Sequence, residues 1–151
     1  MKAETGLRTV FHPHCAGYVE TPWEIDELMS RTDPSLLGLC FDSGHLMFGG
    51  ADPVATLQKY MQRVWHVHFK DFSHAAFAVT RAESLDYNGA IRAGIFCELG
   101  KGAVDFPAVI KTLRVANYGD WIVVEQDVLP GMGAPAVSAR RNREYLKTLG
   151  L

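Results

Sequence analysis

Hydrophobic residues along this chain fall into short, nearly continuous runs that alternate with longer, mixed stretches. Residues 36–42, 64–71 and 121–125 are such runs, and residues 9–14 form a shorter one. Continuous apolar runs of this length are typical of strands that are covered on both faces, as in a parallel sheet. The pattern therefore predicts a strand followed by a helix, four times over.

Helix start signals follow the first three runs. Thr21, Pro22 and Glu24 form a capping box with proline at the first helical position, and Asp52 and Asp105 stand as N-caps before prolines. The predicted helices are residues 22–31, 54–62, 106–116 and 134–149.

Two stretches do not follow this rhythm. Residues 1–7 are predicted to be a loose lead-in, and residues 72–103 show no sustained period. A long irregular excursion in a compact domain is most often a lid or a binding loop, and we interpret residues 72–103 in that way.

The repeat predicts an α/β fold in a single domain, residues 1–151. Neither GxGxxG after a strand nor GxxxxGK[ST] occurs, so a nucleotide-binding open sheet has no support. A barrel-type arrangement of parallel β/α units fits better, and in such folds ligands collect at the carboxyl ends of the strands.

Composition narrows the classes of function. The 151 residues are 48% apolar with a net charge of −2 and no basic cluster, which argues against a nucleic-acid partner. The apolar runs are too short to span a bilayer and the N-terminal MKAETGLR lacks a signal-peptide core, so we expect a cytoplasmic protein without membrane contact. Cys15, Cys40 and Cys97 fit no disulfide or CxxC pattern, and Cys40 is expected to pack as a small hydrophobe.

The run at residues 64–71 carries the first chemical signal. Alternation along a strand places His66, His68 and Lys70 on one face, and Trp65, Val67 and Phe69 on the other. Two histidines and a lysine on a buried strand are costly to desolvate unless they line a polar cavity. The alternative is a hydrogen-bonded structural histidine pair.

The other strand ends carry the same types of residue. Together the predicted carboxyl ends supply His12, His14, Asp42, His45, His66, His68 and Glu125. Imidazole and carboxylate groups are the ligands of Zn, Mn, Co and Fe(II), and the scarcity of sulfur disfavours a structural zinc site. The recurrence at four strands favours a functional metal site.

Four segments resemble the last four strands of xylose isomerase-like TIM barrels. They are LCFDSGH at 39–45, HVHFKD at 66–71, LGKGAVDF at 99–106 and IVVE at 122–125. Within that superfamily of sugar isomerases, epimerases, dehydratases and nucleases, FHPH at 11–14 and VEQD at 124–127 are most similar to inosose (2-keto-myo-inositol) dehydratases. The resemblance covers about residues 9–150 and implies strands five to eight, the C-terminal half of the barrel.

The resemblance implies a divalent metal (Mn, Co, Zn or Mg) bound by Asp42, His68 and Glu125. The fourth ligand of the superfamily is a glutamate, and the matching position here is His12. Three alternatives follow for that place: His12, His14 or a water molecule.

The implied reaction is metal-dependent elimination of water from a sugar-like keto-polyol. His45, His66 and Lys70 match positions near the substrate, and His14, His45, His66 and Glu125 are the candidate catalytic groups. The alternatives are a sugar isomerase or epimerase, which in these relatives uses two opposed glutamates, and an inactive half-barrel that only binds. Because four parallel strands cannot close a barrel, the chain is also expected to form a homo-oligomer.

Overall fold

Short parallel strands form the centre of the molecule. The computed structural model describes residues 2–151, with side chains from residue 4 onward. Its strands, in chain order, are β1 Thr9–Phe11, β2 Leu37–Asp42, β3 Val64–Phe69, β4 Asp71–Phe72, β5 Phe96–Cys97 and β6 Ile122–Val124.

Helices follow or connect these strands. They are α1 Lys2–Thr5, α2 Pro22–Ser30, α3 Ser43–Phe48, α4 Pro53–Tyr60, α5 His74–Ala82, α6 Tyr87–Arg92, α7 Phe106–Val115 and α8 Pro135–Thr148, with a 3-10 turn at Met61–Arg63. None of the helices within residues 2–151 combines the length and the apolar character needed to cross a lipid bilayer.

The main sheet has the order β1-β2-β3-β6, and each of its three pairings is parallel. The predicted parallel β/α repeat is therefore confirmed. Register places Asp42 opposite His68, and His68 opposite Val123. The strands β4 and β5 form a separate antiparallel pair of two residues each.

The four predicted long helices correspond to α2, α4, α7 and α8, with ends that differ by at most two residues. The capping box at the start of α2 is formed: the Glu24 amide donates to the Thr21 hydroxyl, and the Glu24 carboxylate accepts from the Thr21 amide. Asp52 and Asp105 cap α4 and α7 as expected. The hydrogen bonds of the N-cap side chains thus account for the residues at which these helices begin.

The interpretation of residues 72–103 as irregular is wrong. They contain α5, β5 and α6, and the two helices are capped by Ser73 and Asp86. The helix α6 is only six residues long, too short to display a hydrophobic period. The predicted lead-in also contains a helix, since residues 2–5 form α1. A further helix that the sequence analysis did not predict, α3, follows Asp42 directly. Residue 1 of the predicted lead-in lies outside the described residues.

Trp65 does not share a face with Val67 and Phe69, contrary to the strict alternation. The β2–β3 register shifts immediately after Leu39. As a result the indole ring lies 2.3–2.6 Å from where a Cβ at Gly38 would stand, on the face that carries the polar side chains. A bulge of this kind reverses the side-chain order of a strand locally, and glycine at position 38 leaves room for the ring.

The two faces of the sheet differ in chemistry. Leu39, Phe41, Val67 and Phe69 are essentially unexposed and belong to one hydrophobic cluster with the helices. The opposite face carries the histidines and carboxylates. Cys40 is buried, as expected, but it lies outside that cluster, because its position in β2 turns it toward the polar face.

Asp71 fixes the glycine-rich segment at residues 99–102. Its fully buried carboxylate accepts four backbone N–H groups, from Phe72, Gly100, Gly102 and Val104, at 2.8–3.1 Å. A Cβ at Gly102 would stand 2.3 Å from Oδ1 of Asp71, so this close approach requires glycine. The contact between Asp71 and these amides gives the HFKD and LGKG motifs a shared structural role.

Replacing Asp71 should therefore destabilise the fold. We expect Asp71→Ala to lower the free energy of unfolding by about 3 to 4 kcal/mol, because four amides lose a charged acceptor. The matched control is Asp105→Ala, which removes one exposed N-cap bond to the Ala108 amide and should cost about 1 kcal/mol. Urea denaturation of both variants measures the difference, and equal losses would contradict the assigned role of Asp71.

Both edges of the described main sheet are open. The strands β1 and β6 each pair with one other described strand. Trp121, which directly precedes β6, is 83% exposed, and Val123 within β6 is 38% exposed. Open edges flanked by apolar side chains favour pairing with another chain.

The 151-residue chain is accordingly expected to self-associate in solution. Trp121→Lys should shift the association to higher protein concentration, because a charge at the edge opposes strand pairing. The control Val115→Lys changes an exposed residue of α7 and should leave association unaltered. Sedimentation velocity at several concentrations tests this, and a wild-type monomer throughout the micromolar range would refute it.

Candidate metal centre

Three ionisable side chains meet where three parallel strands end. Asp42 is the last residue of β2, His68 lies near the end of β3, and Glu125 directly follows β6. The Glu125 amide donates to the Phe69 carbonyl at 3.0 Å, which extends the sheet register by one residue. Parallel register thus brings all three side chains to one edge of the sheet.

His68 stands between the two carboxylates. Its Nδ1 lies 2.9 Å from Oε1 of Glu125 and 3.5 Å from Oδ2 of Asp42, and one ligand atom from each residue lies within 4.8 Å of the others. The same Nδ1 is buried and has no hydrogen bond of acceptable geometry to any described group. Buried ring nitrogens are normally paired. An unpaired nitrogen facing two carboxylate oxygens fits a bound cation.

In each of the two carboxylates, one oxygen is bound by neighbouring groups of the protein and the other oxygen faces His68. Oδ1 of Asp42 accepts the Gly44 and His45 amides, both at 2.9 Å, which leaves Oδ2 for His68. Oε2 of Glu125 contacts Nζ of Lys70 at 2.9 Å, which leaves Oε1 for His68. Supporting contacts of this kind orient metal ligands in proteins.

The electrostatics of the centre favour a positive charge at His68. Burial acts to raise the pKa of Asp42, but contacts with His12 and His68 hold it well below its ordinary value. The contact with His68, followed by that with Lys70, lowers the pKa of Glu125 to about 2. Burial acts to lower the pKa of His68, yet the side chains of Asp42, Cys40 and Glu125 raise it to about 11. Either a proton or a metal ion satisfies this arrangement.

Lys70 is a buried support for Glu125. Its side chain is 1% exposed, and Nζ contacts Oε2 of Glu125 at 2.9 Å, Oδ2 of Asp127 at 2.9 Å and Nε2 of His45 at 3.2 Å. An ammonium group has three hydrogens, and these three acceptors use all of them. The ring of Phe96 lies 4.6 Å from Nζ and closes the remaining side.

These contacts determine the tautomer of His45. Because Nε2 accepts from Lys70, the proton of the neutral ring lies on Nδ1, which faces the Cys15 sulfur at 3.0 Å. The Cys15 amide also lies 3.3 Å from Nδ1, but a protonated nitrogen cannot accept from it. Burial lowers the pKa of His45 to about 3, so the ring stays neutral.

The remaining histidines line the open side. Nε2 of His12 lies 3.4 Å from Oδ2 of Asp42, and its side chain is 26% exposed. His14 is exposed, with Nδ1 donating to the Cys15 carbonyl at 2.8 Å. The His66 ring lies 5.0 Å from that of His68 and makes no hydrogen bond within residues 4–151.

The sequence predicts that His45 and Lys70 lie near the substrate, and the structure brings both to the centre. Each is only 1% exposed. They therefore support neighbouring side chains here, whereas His12, His14 and His66 are the histidines that a small molecule could reach.

Sequence reasoning missed three residues at this centre. Asp127 contacts Lys70, and its signal was alternation: it stands two residues after Glu125. Cys40 likewise stands two residues before Asp42 in β2. Tyr87 opens α6, and its ring lies 5.5 Å from that of His14. It comes from the stretch without a visible period, so the pattern gave no indication of it.

Comparison with known proteins identifies the fold family. Residues 1–149 match the family described as xylose isomerase-like TIM barrel. The chain belongs to that family. The predicted resemblance is thereby confirmed, and the parallel β/α units described above are those of a TIM barrel.

The similar proteins are about twice as long. The inosose dehydratase of Geobacillus kaustophilus (strain HTA426) is 39% identical over 146 residues, which are 97% of this chain and 47% of that protein. A probable 3-DHS dehydratase from Bacillus anthracis is 22% identical with a TM-score of 0.68, over 99% of this chain and 51% of that one. The IolI protein, solved with a bound zinc atom, is 17% identical with a TM-score of 0.64, over 94% and 48%. The chain thus spans about half the length of these members, and the two structures show the fold alone.

The geometry predicts that metal binding depends on His68. His68→Ala should lose most of the metal that the wild-type chain retains after dialysis, because one of three converging donors is removed. The matched control is His66→Ala, two residues away on the same face, which should retain its metal. Metal content by mass spectrometry decides the matter, and the reverse result would assign the ligand to His66.

Proposed function

We propose that Asp42, His68 and Glu125 hold a divalent metal (Mn, Co, Zn or Mg) in a site that removes water from a cyclic keto-polyol of the inosose type. The observation that carries the proposal is the buried, unpaired Nδ1 of His68 facing two carboxylate oxygens. Similarity to inosose dehydratases along 97% of the chain supports the substrate class.

His12 is the proposed fourth ligand. Its Nε2 faces the same Asp42 oxygen as His68 does, at the position where the resemblance places a glutamate in relatives. When bound, the divalent ion would act as a Lewis acid that polarises the ketone of the substrate.

The chain's own residues would move the protons. Burial, followed by the neighbouring His68 and His12, lowers the pKa of His66, so its neutral ring can accept the proton from the carbon next to the ketone. His14, exposed at the mouth, can donate a proton to the hydroxyl one carbon further on, which leaves as water. The resulting enol rearranges to a 1,2-dione.

Supporting residues fix these groups in place. Lys70 holds Glu125, and His45 completes the set of acceptors around Lys70. Glu125 is thereby kept ionised beside the reacting centre. The helix α6 brings Tyr87 to the same mouth, and burial raises the pKa of Tyr87 to about 12, so its phenol can donate a hydrogen bond to a polyol.

The test is turnover of 2-keto-myo-inositol by the 151-residue chain with added Mn²⁺, Co²⁺, Zn²⁺ or Mg²⁺. We expect loss of one water per substrate. His66→Ala should lower kcat by roughly 10²–10⁴-fold, the usual contribution of general acid–base catalysis, while the metal content stays unchanged. The matched control is His74→Ala, an exposed residue of α5.

Other outcomes would identify other functions. An epimerised ketone without water loss would replace the dehydratase proposal with the isomerase or epimerase alternative. Bound metal without turnover of any keto-polyol would indicate a half-barrel that only binds. Absence of bound metal in the wild-type chain would refute the proposed site itself.

A further inference from the structure

Cys40 is buried, but it lies on the polar face of the sheet and not on the face that forms the hydrophobic core. It stands two residues before Asp42 in β2, opposite His66 in the β3 register, and is 2% exposed. Its neighbours Leu39 and Phe41 belong to the hydrophobic cluster, and Cys40 does not. The thiol therefore lies at the floor of the polar face, beneath the metal centre.

Two histidines stand beside this thiol. One nitrogen each of His12 and His68 and the sulfur of Cys40 lie within 4.8 Å of one another. Imidazole nitrogen and thiolate sulfur are both ligands of zinc. The triad of Asp42, His68 and Glu125 has two oxygens and one nitrogen, which suits harder ions as well.

We propose that His12, Cys40 and His68 form a second, alternative metal position that prefers thiophilic ions such as zinc, cobalt and cadmium. Both positions use His68, and two dications this close would repel each other. Filling the Cys40 position should therefore empty the other. That consequence rests on the proposed function, whereas the Cys40 position itself rests only on its own geometry.

Cys15 is the other thiol near the centre, and we do not expect it to bind metal. His14, Cys15 and His45 also bring one donor atom each within 4.8 Å. However, Nδ1 of His45 carries the proton imposed by Lys70 and points that proton at the Cys15 sulfur. A protonated nitrogen is not a ligand, so Cys15 provides a matched control: a buried thiol beside a histidine that should bind no metal.

The test is titration of the reduced chain with Co²⁺ under a non-thiol reductant. Thiolate coordination gives a near-ultraviolet charge-transfer band, which carboxylate and imidazole ligands do not. We expect the band in wild type and in Cys15→Ala, and its loss in Cys40→Ala. Zinc affinity of Cys40→Ala, measured by chelator competition, should fall by more than the roughly 10–100-fold that losing an outer hydrogen-bond partner costs.

A second variant separates this inference from the proposed function. Glu125→Gln should keep the cobalt band but lose Mn²⁺ binding, measured by electron paramagnetic resonance. Absence of the band in wild type, or its persistence in Cys40→Ala that is folded by circular dichroism, would overturn the Cys40 position. Loss of the band in Cys15→Ala with retention in Cys40→Ala would assign the thiolate to Cys15 and overturn it equally. A wild-type chain that shows the band but turns over no 2-keto-myo-inositol with Mn²⁺, Co²⁺, Zn²⁺ or Mg²⁺ would refute only the proposed function.

Discussion

Two carboxylates, Asp42 and Glu125, face one buried nitrogen of His68, and much of the surrounding structure makes this concentration of negative charge tolerable. Buried charges persist only when they are paired and hydrogen-bonded. Asp42 receives two amides from the start of α3, and Glu125 receives the ammonium of Lys70. Even so, each carboxylate keeps one oxygen directed at His68. The fold supports both carboxylates and still leaves one oxygen of each facing His68. A proton on His68 or the proposed metal ion would meet this remaining demand for positive charge.

One short segment, HFKD, illustrates how a single strand end serves several purposes. His68 faces the two carboxylates, and Lys70, two residues later, holds Glu125 from the buried side. Asp71 turns away and accepts four amides, three of them from the segment around Gly100 and Gly102. The excursion after Asp71 is thereby tied back to β4, and Phe96 from its far end covers Lys70. Stability and site geometry consequently depend on neighbouring residues of the same segment.

The features that could be predicted from the sequence are those that depend on interactions between residues close together in the chain. Parallel β/α order, capped helices and the convergence of strand ends follow from runs, caps and alternation, because each depends on residues a few positions apart. Placements that depend on tertiary contacts were missed. Trp65 changed face because of a bulge against Gly38, and α6 is too short for a period to show. The burial of His45 depends on Lys70 and Cys15, which are distant in sequence and adjacent only in the fold.

If His12 is the fourth ligand, as proposed, it changes the charge of the centre relative to the glutamate that the resemblance implies at this position. A glutamate there would add a third carboxylate to those of Asp42 and Glu125, so that a dication would leave a net negative charge. With an imidazole in that place, two carboxylates and one dication sum to zero. A neutral centre repels a developing enolate less than a negative one does. The same substitution places a nitrogen beside Cys40, where an oxygen would disfavour soft ions. In the proposed site, His12 would thus set both the charge that the substrate meets and the range of metals that the centre can hold.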